Sequence, residues 1–311
     1  MARWYYYPGE EQHVIERLRN RVFRKPVPDF PKTVVIETQS GCNAACVFCQ
    51  YTQLKDKLPR GRMSNTAFEK IIRDCAGRSV ERFILCLDNE PLLDNSIAEK
   101  FALLKKYCPD AVRNLTTNGS LLTPEKVEEL LGGGLVNEVF LSINGASREV
   151  YEKSMGLPFD TVMRNLEHFC QWLRAHPKVK KELRVRVNTV RTRLVAAELP
   201  ALARRWQAEG FEWHVIDLDN RGAQLDLRGL PGERLKPYTF CRRPFHTLVL
   251  TWAGEALLCC VDYKREVKLG NVQEQSLYEI WNGPWALQLR RDYLAQKFKR
   301  LPICATCKIG S

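Results

Sequence analysis

Gly41-Cys42-Asn43-Ala44-Ala45-Cys46-Val47-Phe48-Cys49 packs three cysteines into one short loop with C-x3-C-x2-C spacing. Three thiolates cannot saturate a structural zinc, which takes four ligands. A four-iron cluster held by three cysteines instead leaves one iron open to an exogenous ligand. No histidine lies near the loop to complete a zinc set. The loop follows Thr33-Val34-Val35-Ile36-Glu37-Thr38, a β-branched run that reads as a strand with a turn after it.

Working outward, Phe83-Ile84-Leu85-Cys86-Leu87 reads as a second strand running into Asp88-Asn89-Glu90-Pro91-Leu92-Leu93. A third ends in Leu115-Thr116-Thr117-Asn118-Gly119, and a fourth is Glu138-Val139-Phe140-Leu141-Ser142-Ile143-Asn144-Gly145. Residues 183–190 and 213–218 supply two more strands. Between them lie helical patterns at 65–75, 96–107, 124–131, 160–175 and 196–208, the first opening after the N-cap Ser64. Strand and helix alternate about six times, which predicts parallel βα units. The expected fold class is therefore α/β, a partial (βα)6 barrel. In such sheets ligands sit at the C-terminal strand ends, where all four motif segments fall.

With these segments in this order, the chain resembles the radical S-adenosylmethionine (SAM) superfamily, and the resemblance covers nearly its whole length. It implies a [4Fe-4S] cluster on Cys42, Cys46 and Cys49 whose open iron chelates SAM. DNEPLL resembles the family's GGEPLL segment, with Asp88 and Asn89 replacing both glycines and Glu90 holding the SAM ammonium. Asn118 belongs to a TNG-like turn. Ser142 and Asn144 match an S-x-D-G strand near the SAM carboxylate and ribose, with asparagine for the aspartate. Phe48 stands where the family places an aromatic beside the adenine; plain loop packing is the other reading. Arg184, Arg186 and Asn188 share one face of the fifth strand. That face points either into the barrel or, as slightly preferred, to solvent; Asn188 is the cofactor-contact candidate on it.

The tail holds a second cysteine group. Cys259 follows Cys241 after 17 residues, Cys304 comes after 44 more, and Cys307 after two. A zinc ribbon would more often use two close pairs. The tail resembles the short "twitch" form of the SPASM auxiliary-cluster domain, with Gly254 five residues before Cys259, then GNV and SLYEIWN. The resemblance implies one auxiliary [4Fe-4S] cluster on Cys241, Cys259, Cys304 and Cys307. Cys260 is then a spare thiol beside a ligand, either a catalytic hydrogen-atom donor or a packed cysteine. Cys75, Cys86, Cys108 and Cys170 read as buried, inert thiols. The expected division is an N-terminal extension over 1–30, a barrel over 31–222 and an auxiliary-cluster domain over 223–311.

Hydrophobic residues make up 45% of the 311, and no stretch approaches the roughly 20 apolar residues of a membrane helix. No signal peptide precedes the barrel, so the expected location is cytoplasmic and the cysteines are metal ligands rather than a disulfide framework. The family chemistry implied is hydrogen abstraction by a 5′-deoxyadenosyl radical. The substrate radical then loses an electron to the auxiliary cluster, giving dehydrogenation, or receives a hydrogen from a thiol such as Cys260, giving epimerisation. An electron donor such as flavodoxin or ferredoxin is the implied protein partner. About thirty residues precede the first strand, too few for a leader-peptide recognition domain, which favours a small polar metabolite such as a sugar or aminocyclitol over a peptide. The net charge of +12, concentrated over 174–193, suits an anionic substrate better than a cationic one. The same charge, with Trp4, Tyr5, Tyr6 and Tyr7, makes RNA the competing, disfavoured partner.

Overall fold

The computed structural model describes residues 27–224, 230, 236–237 and 240–309. The N-terminal aromatic run and most of the glycine- and proline-rich linker fall outside them. Six parallel strands follow one another: β1 (Thr33–Ile36), β2 (Arg82–Ile84), β3 (Val112–Thr117), β4 (Glu138–Ser142), β5 (Arg184–Arg191) and β6 (Glu212–Asp217). Each pairs with the next in sequence, as right-handed βα units require. This is the α/β partial barrel expected.

Alternation along the strands separates two faces. Val34, Ile36, Phe83, Leu85, Leu115, Val139, Leu141 and Val187 pack in one large core with the helices, including Phe68, Phe101, Leu166 and Trp206. Helix Asn65–Cys75 begins where Ser64 accepts the Ala67 amide, as its sequence predicts. The other, inner face is polar. Register sets Asn114, Glu138 and Arg184 in one row, Thr116, Phe140, Arg186 and Glu212 in the next, and Ser142, Asn188 and His214 above.

The fifth-strand arginines therefore point into the barrel, not to solvent. They are bound by its own acids: Arg184 reaches Glu212 at 2.7 and 2.9 Å and Glu138 at 3.3 Å. Arg186 reaches Glu212 at 2.9 Å and lies over the Phe140 ring. Arg82 pairs with Glu138 from the other side. The solvent reading failed because a charge pattern on one strand is silent about acids on the strands that flank it.

The tail continues the barrel's sheet. After a short strand, β7 (Lys236–Pro237), β8 (Thr247–Leu250) pairs parallel with β1. Then β9 (Glu255–Leu257) and β10 (Lys268–Asn271) add antiparallel. Gly254 turns the β8–β9 hairpin at φ +81°, and a Cβ there would stand 2.8 Å from Val272 Cγ2. Helix Leu277–Asn282 opens with a capping box, Ser276 with Glu279. It docks on the barrel helix through the Leu277 amide, which donates to Asp74 at 3.1 Å. A last strand, β11 (Lys308–Ile309), pairs with β7. Among the described residues no helix is long and apolar enough to cross a membrane.

Candidate active site

The cysteine loop is held from two sides. Ala45 and Val47 amides donate to the carbonyls of Met155 and Ser154 at 2.9 and 3.0 Å, seating the loop on the C-terminal end of helix Arg148–Met155. That helix ends at Gly156 with φ +64°, where a Cβ would lie 2.7 Å from the Ala45 Cβ. On the other side Gly41 bridges Asn89, and the Glu90 amide donates to the Gly41 carbonyl at 2.9 Å. Asn89 in place of a glycine folds the segment on itself, its Oδ1 accepting the Leu87 amide at 2.9 Å.

Burial pushes the Cys42 thiol up to about 12, and the Cys46 thiol well up too, with neighbouring thiolates adding to both shifts. Thiolates facing one another in a water-poor loop are stable when a metal centre takes their charge. Among the described residues no three His, Cys, Asp or Glu side chains are set to hold a single metal ion.

Glu90 is 2% exposed and satisfied by the chain itself. Its Oε1 accepts from Thr117 Oγ1 at 2.6 Å and the Leu92 amide at 3.2 Å; its Oε2 accepts the Asn118 amide at 2.8 Å. A carboxylate accepts about four hydrogen bonds, so one position is left for a ligand donor. The loop beneath is fixed by a buried pair, Lys100 to Asp94 at 2.9 Å. Burial raises the Glu90 carboxyl to about 7, its three donors opposing the shift. A bound ammonium favours the ionised form, so SAM affinity will rise as pH passes upward through about 7 and level off above it. Glu90→Gln will weaken binding by about 1–3 kcal/mol at the alkaline end and flatten the profile. Calorimetric titration with SAM from about pH 6 to 8 measures both; unchanged affinity would leave DNEPLL a structural turn.

The other expected contacts divide. The Asn118 amide group donates to Asn43 Oδ1 at 3.0 Å and lies 3.9 Å from the Cys42 sulfur, tying turn to cysteine loop. Ser142 and Asn188 are register partners on the inner face, half-buried, and neither side chain is hydrogen-bonded among the described residues. Asn144 is engaged: its Oδ1 accepts the Val190 amide at 2.6 Å and its Nδ2 contacts Met155 Sδ at 3.1 Å. Met155 Sδ is in turn 3.5 Å from Cys46 Sγ, so Asn144 steadies the cysteine loop. Phe48 is half-buried against the main core. Burial raises all four remaining thiols, Cys75, Cys86, Cys108 and Cys170, which keeps them protonated.

Tail thiols far apart in sequence lie close enough to act on one another electrostatically. The Cys304 thiol is raised to about 12 by burial and then by Cys241 and Cys307. Cys241 likewise acts on Cys259 and Cys307. The last C-x-x-C is stitched to the end of β6: the Lys308 amide donates to Asn220 Oδ1 at 2.7 Å, and Thr306 Oγ1 to the Gly222 carbonyl at 2.8 Å. Cys259 is buried with Leu258, Val267, Leu289 and Leu301. Its neighbour Cys260 is half-buried and touches Val35, Val249 and Leu257 on the inner face. Cys260 also packs against the Cys259 cluster and interacts with the Cys259 thiol, so it spans both surroundings, and it adds to the burial that raises the Asp88 carboxyl.

One group was missed in the sequence. Arg265 Nη2 reaches Glu37 at 3.1 Å and Asp88 at 3.7 Å, a buried triad joining tail, β1 and the segment before Glu90. Its only trace in the sequence is the acid at the first glycine position of DNEPLL.

A family model described as the radical SAM superfamily matches residues 36–174, and one described as an iron-sulfur cluster-binding domain, SPASM, matches residues 241–308. Among curated proteins, the chain is 32% identical over 142 residues to the AdoMet-dependent heme synthase of Methanosarcina barkeri, covering 44% of this chain and 38% of that protein. The chain thus spans well under two thirds of that relative. It is 23% identical over 282 residues to the S-adenosyl-L-methionine-dependent 2-deoxy-scyllo-inosamine dehydrogenase of Niallia circulans, covering 88% of this chain and 91% of that protein. Among solved structures, BtrN in complex with AdoMet and 2-DOIA aligns with a TM-score of 0.63 at 19% identity, covering 89% of this chain and 93% of that one. Streptococcus suis SuiB bound to its precursor peptide SuiA gives 0.68 at 17%, covering 90% and 70%. These two likenesses are of fold.

Proposed function

Because the chain belongs to the radical SAM superfamily and ends in a SPASM domain, we propose that it dehydrogenates a small polar metabolite, such as a sugar or aminocyclitol. Its cofactors are SAM and two [4Fe-4S] clusters. When bound, these supply a 5′-deoxyadenosyl radical at one site and an electron acceptor at the other. Cys42, Cys46 and Cys49 hold the first cluster, and Glu90 binds the SAM ammonium. Ser142 and Asn188 offer uncommitted polar groups on the inner face, where SAM or substrate lies. Cys241, Cys259, Cys304 and Cys307 hold the second cluster. The first cluster needs an electron to cleave SAM, for which a flavodoxin or ferredoxin suits, and the second passes on the electron it takes from the substrate radical.

The observation that carries this reading is that Cys241 lies close enough to Cys259, Cys304 and Cys307 to act on each electrostatically. Cys260 acts on Cys241 too, and Cys259 is preferred to it as the fourth ligand because it follows Gly254 by five residues. Four protein ligands leave a cluster no open iron, so it is suited to electron transfer rather than substrate binding. The near full-length similarity to a SAM-dependent dehydrogenase agrees. One observation favours a second reading: Cys260 lies at the inner face beside Asp88, where a hydrogen-donating thiol of an epimerase belongs.

Turnover in D2O separates the two. Cyclitols, aminocyclitols and their phosphates would be incubated with reconstituted enzyme, SAM and reductant, and products weighed by mass spectrometry. Dehydrogenation gives a product lighter by two hydrogens, and Cys260→Ala stays near wild type. An unchanged mass carrying one deuterium on carbon, lost in Cys260→Ala, would overturn it in favour of epimerisation.

A further inference from the structure

Where the loop after helix Gln50–Leu54 meets the turn that follows Cys260, a cavity of about 230 Å³ is lined by Leu54, Lys57, Leu58, Pro59, Lys264 and Arg265. Three of these six are cations and none is an acid. Lys57 and Lys264 are exposed, so their ammonium groups are free to swing over the opening.

Arg265 is different. It is 8% exposed, and its Nη2 is held by Glu37 at 3.1 and 3.4 Å. Its Nε and Nη1 are buried and make no hydrogen bond among the described residues, though Nη1 lies 3.8 Å from a Glu255 carboxylate oxygen. Buried donors in that state are rare unless a ligand completes them. The guanidinium is also held in place by its turn. Arg265 has φ +57°, an uncommon conformation for a residue with a side chain. Asp262 fixes that turn, its carbonyl accepting the Arg265 amide at 3.0 Å and its carboxylate the Glu266 and Val267 amides at 3.0 and 2.8 Å. Burial pushes the Glu37 and Asp88 carboxyls upward, which lessens the negative charge behind the guanidinium.

The cavity's walls come from segments that follow each of the two cysteine groups in sequence. One wall is the end of the helix that Cys49 opens; the other is the turn leading out of Cys259 and Cys260. We propose that this cavity is an oxyanion subsite: it binds the carboxylate or phosphate of the substrate, and the substrate is an anionic small metabolite. The proposal rests on the dehydrogenase or epimerase reading for the word substrate, while the oxyanion site itself stands on the cavity and Arg265. A planar guanidinium whose Nε and Nη1 hydrogens still lack hydrogen bonds matches the oxygens of a carboxylate or phosphate, and two mobile lysines add charge without fixing shape. The concentration of charge elsewhere, on Lys178, Lys180 and Lys181, lies on exposed helix residues and builds no such enclosure.

The test is 31P NMR titration of inorganic phosphate into reconstituted, SAM-loaded protein. Wild type should bind phosphate saturably, and the Lys57→Gln/Lys264→Gln double variant about tenfold more weakly. A Lys180→Gln/Lys181→Gln variant, which loses the same net charge, should match wild type. No saturable binding, or equal weakening in both variants, overturns the subsite. Glucose 6-phosphate and inositol 1-phosphate are then compared with glucose and inositol. Phosphorylated compounds should compete with phosphate, and the neutral ones should not. Competition by neither class would mean a site for free anion, overturning the substrate assignment. Wild-type SAM cleavage under dithionite, run alongside, keeps the readings apart. Phosphate binding without cleavage sinks the radical SAM reading alone, and cleavage without phosphate binding sinks the subsite alone.

Discussion

Protein carrying alanine at Cys42, Cys46 and Cys49 together, reconstituted anaerobically, will hold about four irons where wild type holds about eight, and it will cleave no SAM. The loss is complete because the effect is one of ligand number rather than affinity. The loop has three thiols at this point, and Cys86, on the segment facing it, is half-buried and turned to the Asn89 carbonyl at 3.4 Å. The variant should still fold. The loop is fastened by backbone bonds of Ala45 and Val47 to helix Arg148–Met155, and these do not involve a thiol. Removing the sulfurs also removes thiols that burial, and to a lesser extent their neighbours, already makes costly to ionise. Iron counting, Mössbauer spectroscopy and 5′-deoxyadenosine assay read the result. Retained cleavage would end the radical SAM assignment of this loop.

Much of this arrangement was legible in the sequence because it is local. A cysteine spacing, a β-branched run and a capping serine each act over a few residues, so Thr33–Ile36 and Asn65–Cys75 were found near their true bounds. What escaped was created by strands meeting. Nothing in TLVL states that β8 will lie parallel to β1 and continue the barrel's sheet into the tail. The acids that claim Arg184 and Arg186 come from β4 and β6, and the three members of the Arg265 group lie 51 and 177 residues apart in sequence. Asn144 shows the same limit from the opposite side. Its motif position suggested a ligand contact, yet packing gives its amide to Val190 and Met155. A helix the sequence analysis did not name, Pro284–Leu294, uses its proline in the first turn, where no amide is needed.

The second large effect is expected in the tail. Cys304→Ala/Cys307→Ala will bring iron to about four per chain, keep 5′-deoxyadenosine formation and lower substrate oxidation by at least about 100-fold. Two ligands are removed because one vacancy can be filled by water or an added thiol, whereas two adjacent positions on a four-iron cluster are not readily replaced. The barrel should be untouched: the first cluster's ligands, Glu90 and Asn118 all lie on elements before residue 120, apart from helix Arg148–Met155 that seats the loop. The C-terminal segment should stay in place as well. Its bonds to Asn220 and Gly222 come from the Lys308 amide and the Thr306 hydroxyl, not from sulfur. The variant thus separates radical generation from the radical's fate. If the substrate radical forms but finds no acceptor, SAM is consumed while oxidised product disappears, and the uncoupling ratio rises with time. Undiminished product with four irons would show that the tail cluster takes no electron from the substrate, and with that result the dehydrogenation reading would fall.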